Sequence, residues 1–201
     1  MGRTRAQDKS TPYQTVKRSL DLLVVLLSLP LVLPLALCVA IAVKLTSPGP
    51  TLYWSDRIGA DGRQFRMPKF RTMRVGTPAL ATHLLPDPSS VLTPIGGFLR
   101  TASLDEIPQL WSILSGDMTL VGPRPALYNQ DDLIALRAQL GVDKLVPGLT
   151  GLAQIRGRDD LPIQKKVSFD REYLESYSLW VDIKILARTL INVFLREGIS
   201  H

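Results

Sequence analysis

A long apolar stretch near the start of the chain constrains its fold more than any other feature. Residues Leu22–Val43 include no charged side chain, and at about 1.5 Å per residue a helix of this length measures about 33 Å. That is enough for the hydrocarbon core of a bilayer, which is about 30 Å thick. The stretch is too long for the apolar part of a signal peptide, and no small-residue cleavage pattern follows it. We therefore expect it to remain in the protein.

Two prolines inside the stretch, Pro30 and Pro34, each remove a helical hydrogen bond and predict a bend. Both flanks are basic, which places both on the cytoplasmic side under the positive-inside rule. The basic residues are Arg3, Arg5, Lys9, Lys17 and Arg18 before the stretch, and Lys44, Arg57, Arg63, Arg66, Lys69, Arg71 and Arg74 after it. A helix that enters the membrane, turns at the prolines and leaves on the same face satisfies both flanks. The behaviour of helices in lipid alone equally allows a spanning helix with a proline kink.

The chain then divides into three parts. We expect residues 1–16 to form a flexible basic tail, residues 17–44 the re-entrant membrane helix, and residues 45–201 one cytoplasmic catalytic domain. The boundary after the helix is the turn-rich segment Thr46–Pro50. Short alternating apolar patches on both sides of Gly59–Gly62 predict a β-hairpin. The expected fold is mainly α, with a small β-hairpin region and interfacial helices on the cytoplasmic leaflet.

Composition excludes several classes of protein. The chain has 201 residues, with 24 Lys plus Arg against 18 Asp plus Glu, so its net charge of +6 favours anionic partners. One cysteine and two histidines exclude a disulfide framework and a Cys/His zinc site. Dinucleotide, P-loop, zincin and hydrolase-elbow motifs are absent from the sequence. Aromatic residues are not interleaved with the basic ones, so we expect no nucleic-acid partner.

The segment around Asp105 and Glu106 carries two interpretations. Ser103 and Glu106 match a capping box, which predicts a helix start and gives Glu106 a purely structural role. Alternatively, adjacent carboxylates at a helix start belong to a site for an anionic ligand. The apolar spacing that follows predicts a helix in which Trp111 belongs to the core. The basic cluster between Arg57 and Arg74 is either a solvated face beside anionic lipid or a phosphate site.

Several motifs occur in one fixed order along nearly the whole chain. They are K-L-T-S-P-G-P, K-F-R-T-M, R-T-A-S-L-D-E-I-P-Q-L-W, G-D-M-T-L-V-G-P-R-P and P-G-L-T-G-L-A-Q-I-R-G-R, all following the proline-containing apolar helix. In these motifs the chain resembles the bacterial sugar transferase family, the monotopic polyprenyl-phosphate phosphoglycosyl transferases, in its small, catalytic-unit-only form. The resemblance places the helix break at Pro34, which Leu33 precedes where many members have serine.

The resemblance implies a ping-pong reaction. An aspartate attacks a UDP-sugar, UMP leaves, and the phospho-sugar passes to polyprenyl phosphate. Asp105 would be the nucleophile and also lie close to a Mg²⁺ ion, with Glu106 as its partner. Arg100 and Arg124 would hold phosphate charge. The residues assigned to phosphate or substrate binding, including those two, are Lys69, Arg71, Arg100, Arg124, Gln154 and Arg158.

The same resemblance implies membrane lipid as a partner, a location on the cytoplasmic face of the bacterial inner membrane, and a role in starting glycoconjugate assembly. No motif identifies the donor sugar or the oligomeric state. The competing hypothesis is a non-enzymatic, basic, membrane-anchored binding module, which the composition alone permits.

Overall fold

The computed structural model describes residues 10–80, 87, 89–157 and 161–195. Its helices and strands are α1 (Ser10–Thr46), β1 (Leu52–Ile58), β2 (Gln64–Phe70), α2 (Gly96–Thr101), α3 (Leu110–Ser115), β3 (Thr119–Val121), β4 (Ala126–Leu127), α4 (Asp131–Gln139), β5 (Gly148–Thr150), α5 (Leu152–Gly157), α6 (Ile163–Ser176) and α7 (Leu179–Leu195). Short 3₁₀ helices cover Ala60–Gly62, Leu104–Gln109 and Val142–Lys144. The described part of the chain is therefore mainly helical, as predicted.

The apolar helix α1 is longer than expected. It begins at Ser10 rather than Lys17, so residues 10–16 of the predicted tail are helical. It includes both Pro30 and Pro34, and the break at Pro34 stays a prediction. Prolines are tolerated in such helices when neighbouring groups compensate the lost hydrogen bonds. Among the described residues, α1 is the one helix long and apolar enough to cross a membrane.

Two small sheets organise the domain after α1. Strands β1 and β2 form the predicted hairpin, antiparallel from Leu52 paired with Phe70 to Ile58 paired with Gln64. The short strand β4 adds to the other edge of β1, giving the order β2-β1-β4. Strands β3 and β5 pair in parallel. The hairpin turn passes through Asp61 at a positive φ of 54°, a conformation that Asp and Asn adopt more readily than most residues.

The first turns of α1 pack against the end of the domain. Asp182 on α7 accepts hydrogen bonds from Lys17 Nζ at 2.6 Å and Tyr13 Oη at 2.8 Å through its Oδ2 atom. Its Oδ1 atom accepts one from Tyr173 Oη at 2.7 Å. Nearby, Arg18 donates to the carbonyl of Leu114 at 3.0 Å. These contacts fix the start of α1 to α3, α6 and α7.

The last turns of α1 pack against the same domain. Val39 and Val43 are buried in a cluster with Phe70 of β2 and Leu99 of α2. Between the two packed ends, large apolar side chains of α1 are exposed: Leu26, Leu27, Leu31, Leu33, Leu35 and Leu37. The helix therefore contacts one folded body at both ends and presents an apolar middle outward.

A second exposed apolar surface belongs to the domain itself. Trp111 is 63% exposed, so its predicted place in the core is wrong. Helix α7 buries Asp182, Ile185 and Asn192 and exposes a stripe of large apolar side chains, with Lys184 among them. The stripe consists of Trp180, Ile183, Leu190 and Ile191. This arrangement, with apolar residues outward and basic residues beside them, is typical of a helix lying in a membrane interface.

Candidate active site

The two adjacent carboxylates lie on the 3₁₀ helix Leu104–Gln109. Ser103, the residue before it, has a left-handed backbone with φ 56°, which costs a non-glycine residue roughly 1–2 kcal/mol. Its side chain makes no capping hydrogen bond, so the predicted capping box is wrong. This left-handed residue lies between α2 and the 3₁₀ helix, two positions before Asp105. Backbone strain of this kind concentrates at functional sites.

Glu106 is held by two cations from distant parts of the chain. Lys69, near the end of β2, donates from Nζ to Glu106 Oε1 at 2.9 Å. Arg124, in the connection between β3 and β4, donates from Nη2 to the same oxygen at 2.7 Å. Lys69 Nζ also lies 3.9 Å from Asp105 Oδ2. The K-F-R-T-M, S-L-D-E and G-P-R-P motifs thus meet at one point.

The turn that carries Arg124 is held by unusually close backbone packing. A Cβ atom at Gly122 would lie 2.5 Å from the carbonyl oxygen of Val146, so this position requires glycine. The Gly122 amide donates to the carbonyl of Thr150 at 2.8 Å, and the Gly148 amide donates to the carbonyl of Pro123 at 2.9 Å. The G-P-R-P and P-G-L-T-G segments of the motifs therefore pack against each other and hold the backbone of Arg124 rigidly.

The two carboxylates have opposite electrostatic environments. Asp105 is buried, and burial raises its pKa despite the neighbouring charge of Lys69, which lowers it. Burial also acts to raise the pKa of Glu106, but Arg124 and Lys69 together outweigh it and hold that pKa below its usual range. Glu106 is thus firmly ionised and bound to cations. The negative charge of Asp105 is compensated less strongly by neighbouring cations.

Three further polar residues differ in how they relate to this pair. Arg100, on the last turn of α2, is close enough to Asp105 that its charge lowers the pKa of that carboxyl. Gln154 on α5 packs its amide beside Gly151, and both polar atoms of the amide are buried without a hydrogen bond from the described residues. Gln109, which was not predicted as a site residue, is 1% exposed, and its buried Nε2 likewise lacks a partner within the described ranges. In the sequence, Gln109 is marked only as a single amide side chain within an apolar run.

Arg71 does not belong to this site. Its side chain is buried, and its Nε donates to the carbonyl of Pro50 at 2.6 Å. Its Nη2 donates to the carbonyl and the hydroxyl of Ser47, at 3.0 and 2.9 Å. The guanidinium therefore ties the segment after α1 to the end of β2, and the phosphate-binding role of Arg71 stays a prediction. Arg158, also predicted to bind substrate, lies outside the described residues.

The donor set fits the Mg²⁺ ion that the resemblance implies. The described residues include no cluster of three or more His, Cys, Asp or Glu that could hold a metal alone. Mg²⁺ bound with substrate phosphates needs only one or two carboxylates. Asp105 supplies one carboxylate that accepts no hydrogen bond from the described part of the chain, whereas Glu106 is already bound to two cations. Asp105 is therefore the residue that would hold such an ion.

A separate cavity of about 130 Å³ lies elsewhere in the domain. Gly59, Pro123 and Arg137 are among the residues that line it, and neither carboxylate does. Ligand pockets for drug-sized molecules are usually about 300–1,000 Å³. This cavity is too small to hold a nucleotide sugar and is distinct from the carboxylate site.

Comparison with known proteins agrees with the motifs. The family model for bacterial sugar transferases matches residues 12–196. A UDP-glucose:undecaprenyl-phosphate glucose-1-phosphate transferase of Caulobacter vibrioides is 40% identical over 191 residues, which cover 90% of this chain and 71% of that protein. The exopolysaccharide production protein ExoY of Sinorhizobium fredii is 39% identical over 198 residues, covering 90% of this chain and 87% of that protein.

Longer relatives contain this chain's region as one part. A UDP-glucose:undecaprenyl-phosphate glucose-1-phosphate transferase of Escherichia coli (strain K12) is 38% identical over 190 residues. The match covers 91% of this chain but only 41% of the E. coli protein. The chain thus spans less than half the length of that relative.

Proposed function

Because the chain belongs to the bacterial sugar transferase family, we propose that it transfers a sugar-1-phosphate from a UDP-sugar to undecaprenyl phosphate and releases UMP. The names of the E. coli and C. vibrioides relatives describe this reaction with UDP-glucose. The product would start the assembly of a glycoconjugate. UDP-glucose is the first donor to test.

The observation that carries the proposal is the unequal pairing of the two carboxylates. Glu106 is bound by Lys69 and Arg124 at 2.9 and 2.7 Å, whereas the one ion pair of Asp105 within the described part of the chain is 3.9 Å long. A carboxylate that is strongly hydrogen bonded is a poor nucleophile, because attack requires breaking those bonds. Asp105 is the better nucleophile of the pair.

In the first step, a carboxylate oxygen of Asp105 attacks the phosphorus that bears the sugar. A new oxygen–phosphorus bond forms, the bond between the two phosphates of the donor breaks, and UMP leaves with the bonding electron pair. Lys69, Arg100 and Arg124 surround the carboxylates with positive charge. Such preorganised charge stabilises the negative charge that builds up on phosphate oxygens in the transition state.

In the second step, a phosphate oxygen of undecaprenyl phosphate attacks the same phosphorus. The Asp105 carboxylate is the leaving group and is regenerated, and the product is an undecaprenyl diphospho-sugar. Splitting one displacement into two through a covalent intermediate is an established strategy for difficult transfers. A Mg²⁺ ion held by Asp105 would neutralise charge on the diphosphate when bound.

The packing of α1 supports a monotopic attachment to the cytoplasmic face of the inner membrane. Val25 and Val39 are both buried against the folded domain, and at about 1.5 Å per residue they lie about 21 Å apart along the helix. That is shorter than the roughly 30 Å of a hydrocarbon core. We infer that the exposed apolar middle of α1 enters one leaflet and, bent at Pro30 and Pro34, returns to the same face.

The exposed stripe on α7 and the side chain of Trp111 support the same orientation. Trp180 and Trp111 are each 63% exposed, and tryptophan side chains concentrate at membrane interfaces. Lys184 lies beside Trp180 at 5.2 Å from its ring centre, where its charge can meet lipid head groups. The carboxylate site would then lie close to the head groups, where the phosphate of a polyprenyl acceptor is found.

The test is to incubate the purified protein with Mg²⁺, undecaprenyl phosphate and each member of a UDP-sugar panel containing UDP-glucose, UDP-galactose and N-acetylhexosamine donors. The proposal predicts UMP release, together with a stoichiometric burst of UMP when the acceptor is omitted. UMP is distinguished from UDP by chromatography, because a simple glycosyl transfer would release UDP instead. A complete lack of nucleotide product from folded protein would favour the non-enzymatic binding module.

A further inference from the structure

A buried ion pair connects two helices behind the Arg124 turn. Arg137 on α4 donates from Nε and Nη2 to Oδ2 of Asp170 on α6, at 3.0 and 2.7 Å. The side chain of Asp170 is 2% exposed and that of Arg137 is 12% exposed. Burying such a pair costs solvation energy, and apolar replacements of similar volume are often at least as stable. Stability alone therefore does not account for a charged pair here.

The third contact of Arg137 points to a role. Its Nη1 donates to the backbone carbonyl of Arg124 at 2.8 Å. The planar guanidinium thus joins α6 to the residue whose side chain holds Glu106 at 2.7 Å. Because a guanidinium presents its donors in a fixed plane, anchoring one side on Asp170 fixes where the other side holds the carbonyl.

The neighbouring carbonyls of the turn are held independently. The Gly148 amide donates to the carbonyl of Pro123 at 2.9 Å. Arg57 Nη1 donates to the carbonyl of Pro125 at 3.0 Å. Those contacts hold the turn as a whole, whereas Arg137 holds the peptide of Arg124 itself. Loss of Arg137 should therefore leave the turn in place and loosen the backbone orientation from which the Arg124 side chain extends.

We propose that Arg137 and Asp170 are positioning residues that orient the Arg124 guanidinium toward Glu106 and toward the phosphates of the donor. This inference rests on the proposed phospho-sugar transfer, because it assigns Arg124 to that reaction. Neither residue needs to contact substrate. A displacement of about 1 Å in a group that stabilises the transition state can lower a rate about 100-fold.

The test is a cycle of variants measured by UMP release with saturating UDP-sugar. Arg137→Gln combined with Asp170→Asn removes both charges, so neither is left buried without a partner. The same pair of changes is also made in an Arg124→Gln background. Arg171→Gln is the matched control, because Arg171 follows Asp170 on α6 and its ion pair with Glu175 is exposed at the surface.

We expect the Arg137→Gln/Asp170→Asn protein to lose about 10- to 100-fold in kcat, with a smaller change in KM. In the Arg124→Gln background the same two changes should lower kcat by less than about twofold, because the residue they position is already absent. A merely structural role predicts an equal loss in both backgrounds, and that result would overturn the proposal. Arg171→Gln should retain wild-type kcat in either case.

A second variant decides the matter if the double replacement does not fold. Arg137→Lys keeps a cation for Asp170 but lacks the planar set of donors, so it should fold and still lose several-fold in kcat. Wild-type kcat in Arg137→Lys would reject the proposal. The experiment distinguishes failure of the proposed function from failure of this inference. If the wild-type protein releases no UMP, both are rejected. Active wild-type protein with unaffected Arg137 variants rejects this inference alone.

Discussion

Arg124 donates a 2.7 Å hydrogen bond from Nη2 to Oε1 of Glu106, although the two residues belong to different motifs. Lys69 donates to the same oxygen at 2.9 Å. Together the two cations keep Glu106 ionised and occupied, and they leave Asp105 as the carboxylate with weaker pairing. The two carboxylates therefore have different roles in the proposed reaction.

Replacing the nucleophile should abolish the covalent intermediate. Asp105→Asn exchanges a carboxylate for an amide that is a poor nucleophile, so we expect loss of turnover by at least about 1,000-fold. Intact-protein mass spectrometry after addition of donor without acceptor should detect a phospho-sugar adduct on the wild-type protein and none on the variant. Glu106→Gln should also be strongly impaired, because it loses its charged bonds to Lys69 and Arg124.

The outcome that excludes Asp105 as nucleophile is an adduct of phospho-sugar mass on folded Asp105→Asn protein. If the two carboxylates only start a helix, each substitution should cost about 0.5–2 kcal/mol of stability and leave the folded fraction active. Circular dichroism on each variant separates these cases.

The pH dependence of the reaction should follow Asp105. The carboxyl must be ionised to attack, and burial raises its pKa, so activity should fall on acidification at a pH above the roughly 3.9 of an ordinary aspartate. Glu106 cannot produce this fall, because its pKa is held below its usual range and it stays ionised throughout. Lys69→Met removes a charge that lowers the pKa of Asp105, so the acidic limb of kcat/KM should move to higher pH. An unmoved or downward-shifted limb in Lys69→Met would contradict this assignment.

Removing the guanidinium of Arg71 should destabilise the protein. Arg71→Met leaves the carbonyls of Ser47 and Pro50 without their donors, and hydrogen bonds from charged groups contribute about 1.5–3 kcal/mol each. We expect a loss of about 2–4 kcal/mol, measured by chemical denaturation in detergent micelles, with KM for the donor little changed in the folded fraction. The matched control is Arg66→Met on β2, the strand that ends just before Arg71; the Arg66 guanidinium lies over the Trp54 ring at 5.4 Å, and its loss should cost about 0.5–1 kcal/mol. A large rise in KM without loss of stability would instead support a phosphate-binding role for Arg71.

Both ends of α1 should be accessible from the cytoplasm. Cys38 is exposed in the apolar region and is first replaced by alanine. Gln14→Cys and Gln64→Cys, both at exposed positions on either side of the apolar region, should react with a membrane-impermeant maleimide only in inverted vesicles. Leu31→Cys, at a position that is 79% exposed in the protein alone, should be protected by lipid in both vesicle orientations. Labelling of positions 14 and 64 from opposite sides would remove the re-entrant arrangement.

The sequence by itself determined the apolar helix, the hairpin around Gly59–Gly62 and the motifs that identify the family. These features are local: an uncharged stretch, alternation beside a glycine turn, and contiguous residues that match a pattern. The sequence also identified Asp105 and Glu106 as an adjacent pair. It did not distinguish their environments, because the difference comes from Lys69 and Arg124, which are far away along the chain.

Tertiary structure decided the roles of individual side chains within those motifs. Arg71 and Arg124 are both motif arginines, yet the first is buried against Ser47 and Pro50 while the second reaches Glu106. Trp111 has the spacing of a core residue and is exposed, because its helical neighbours pack on α1 and leave it outside. Residue type and periodicity fix what a side chain can do. Which partner it meets depends on contacts between residues distant in sequence, and here those contacts separate the structural arginine from the one at the carboxylate site.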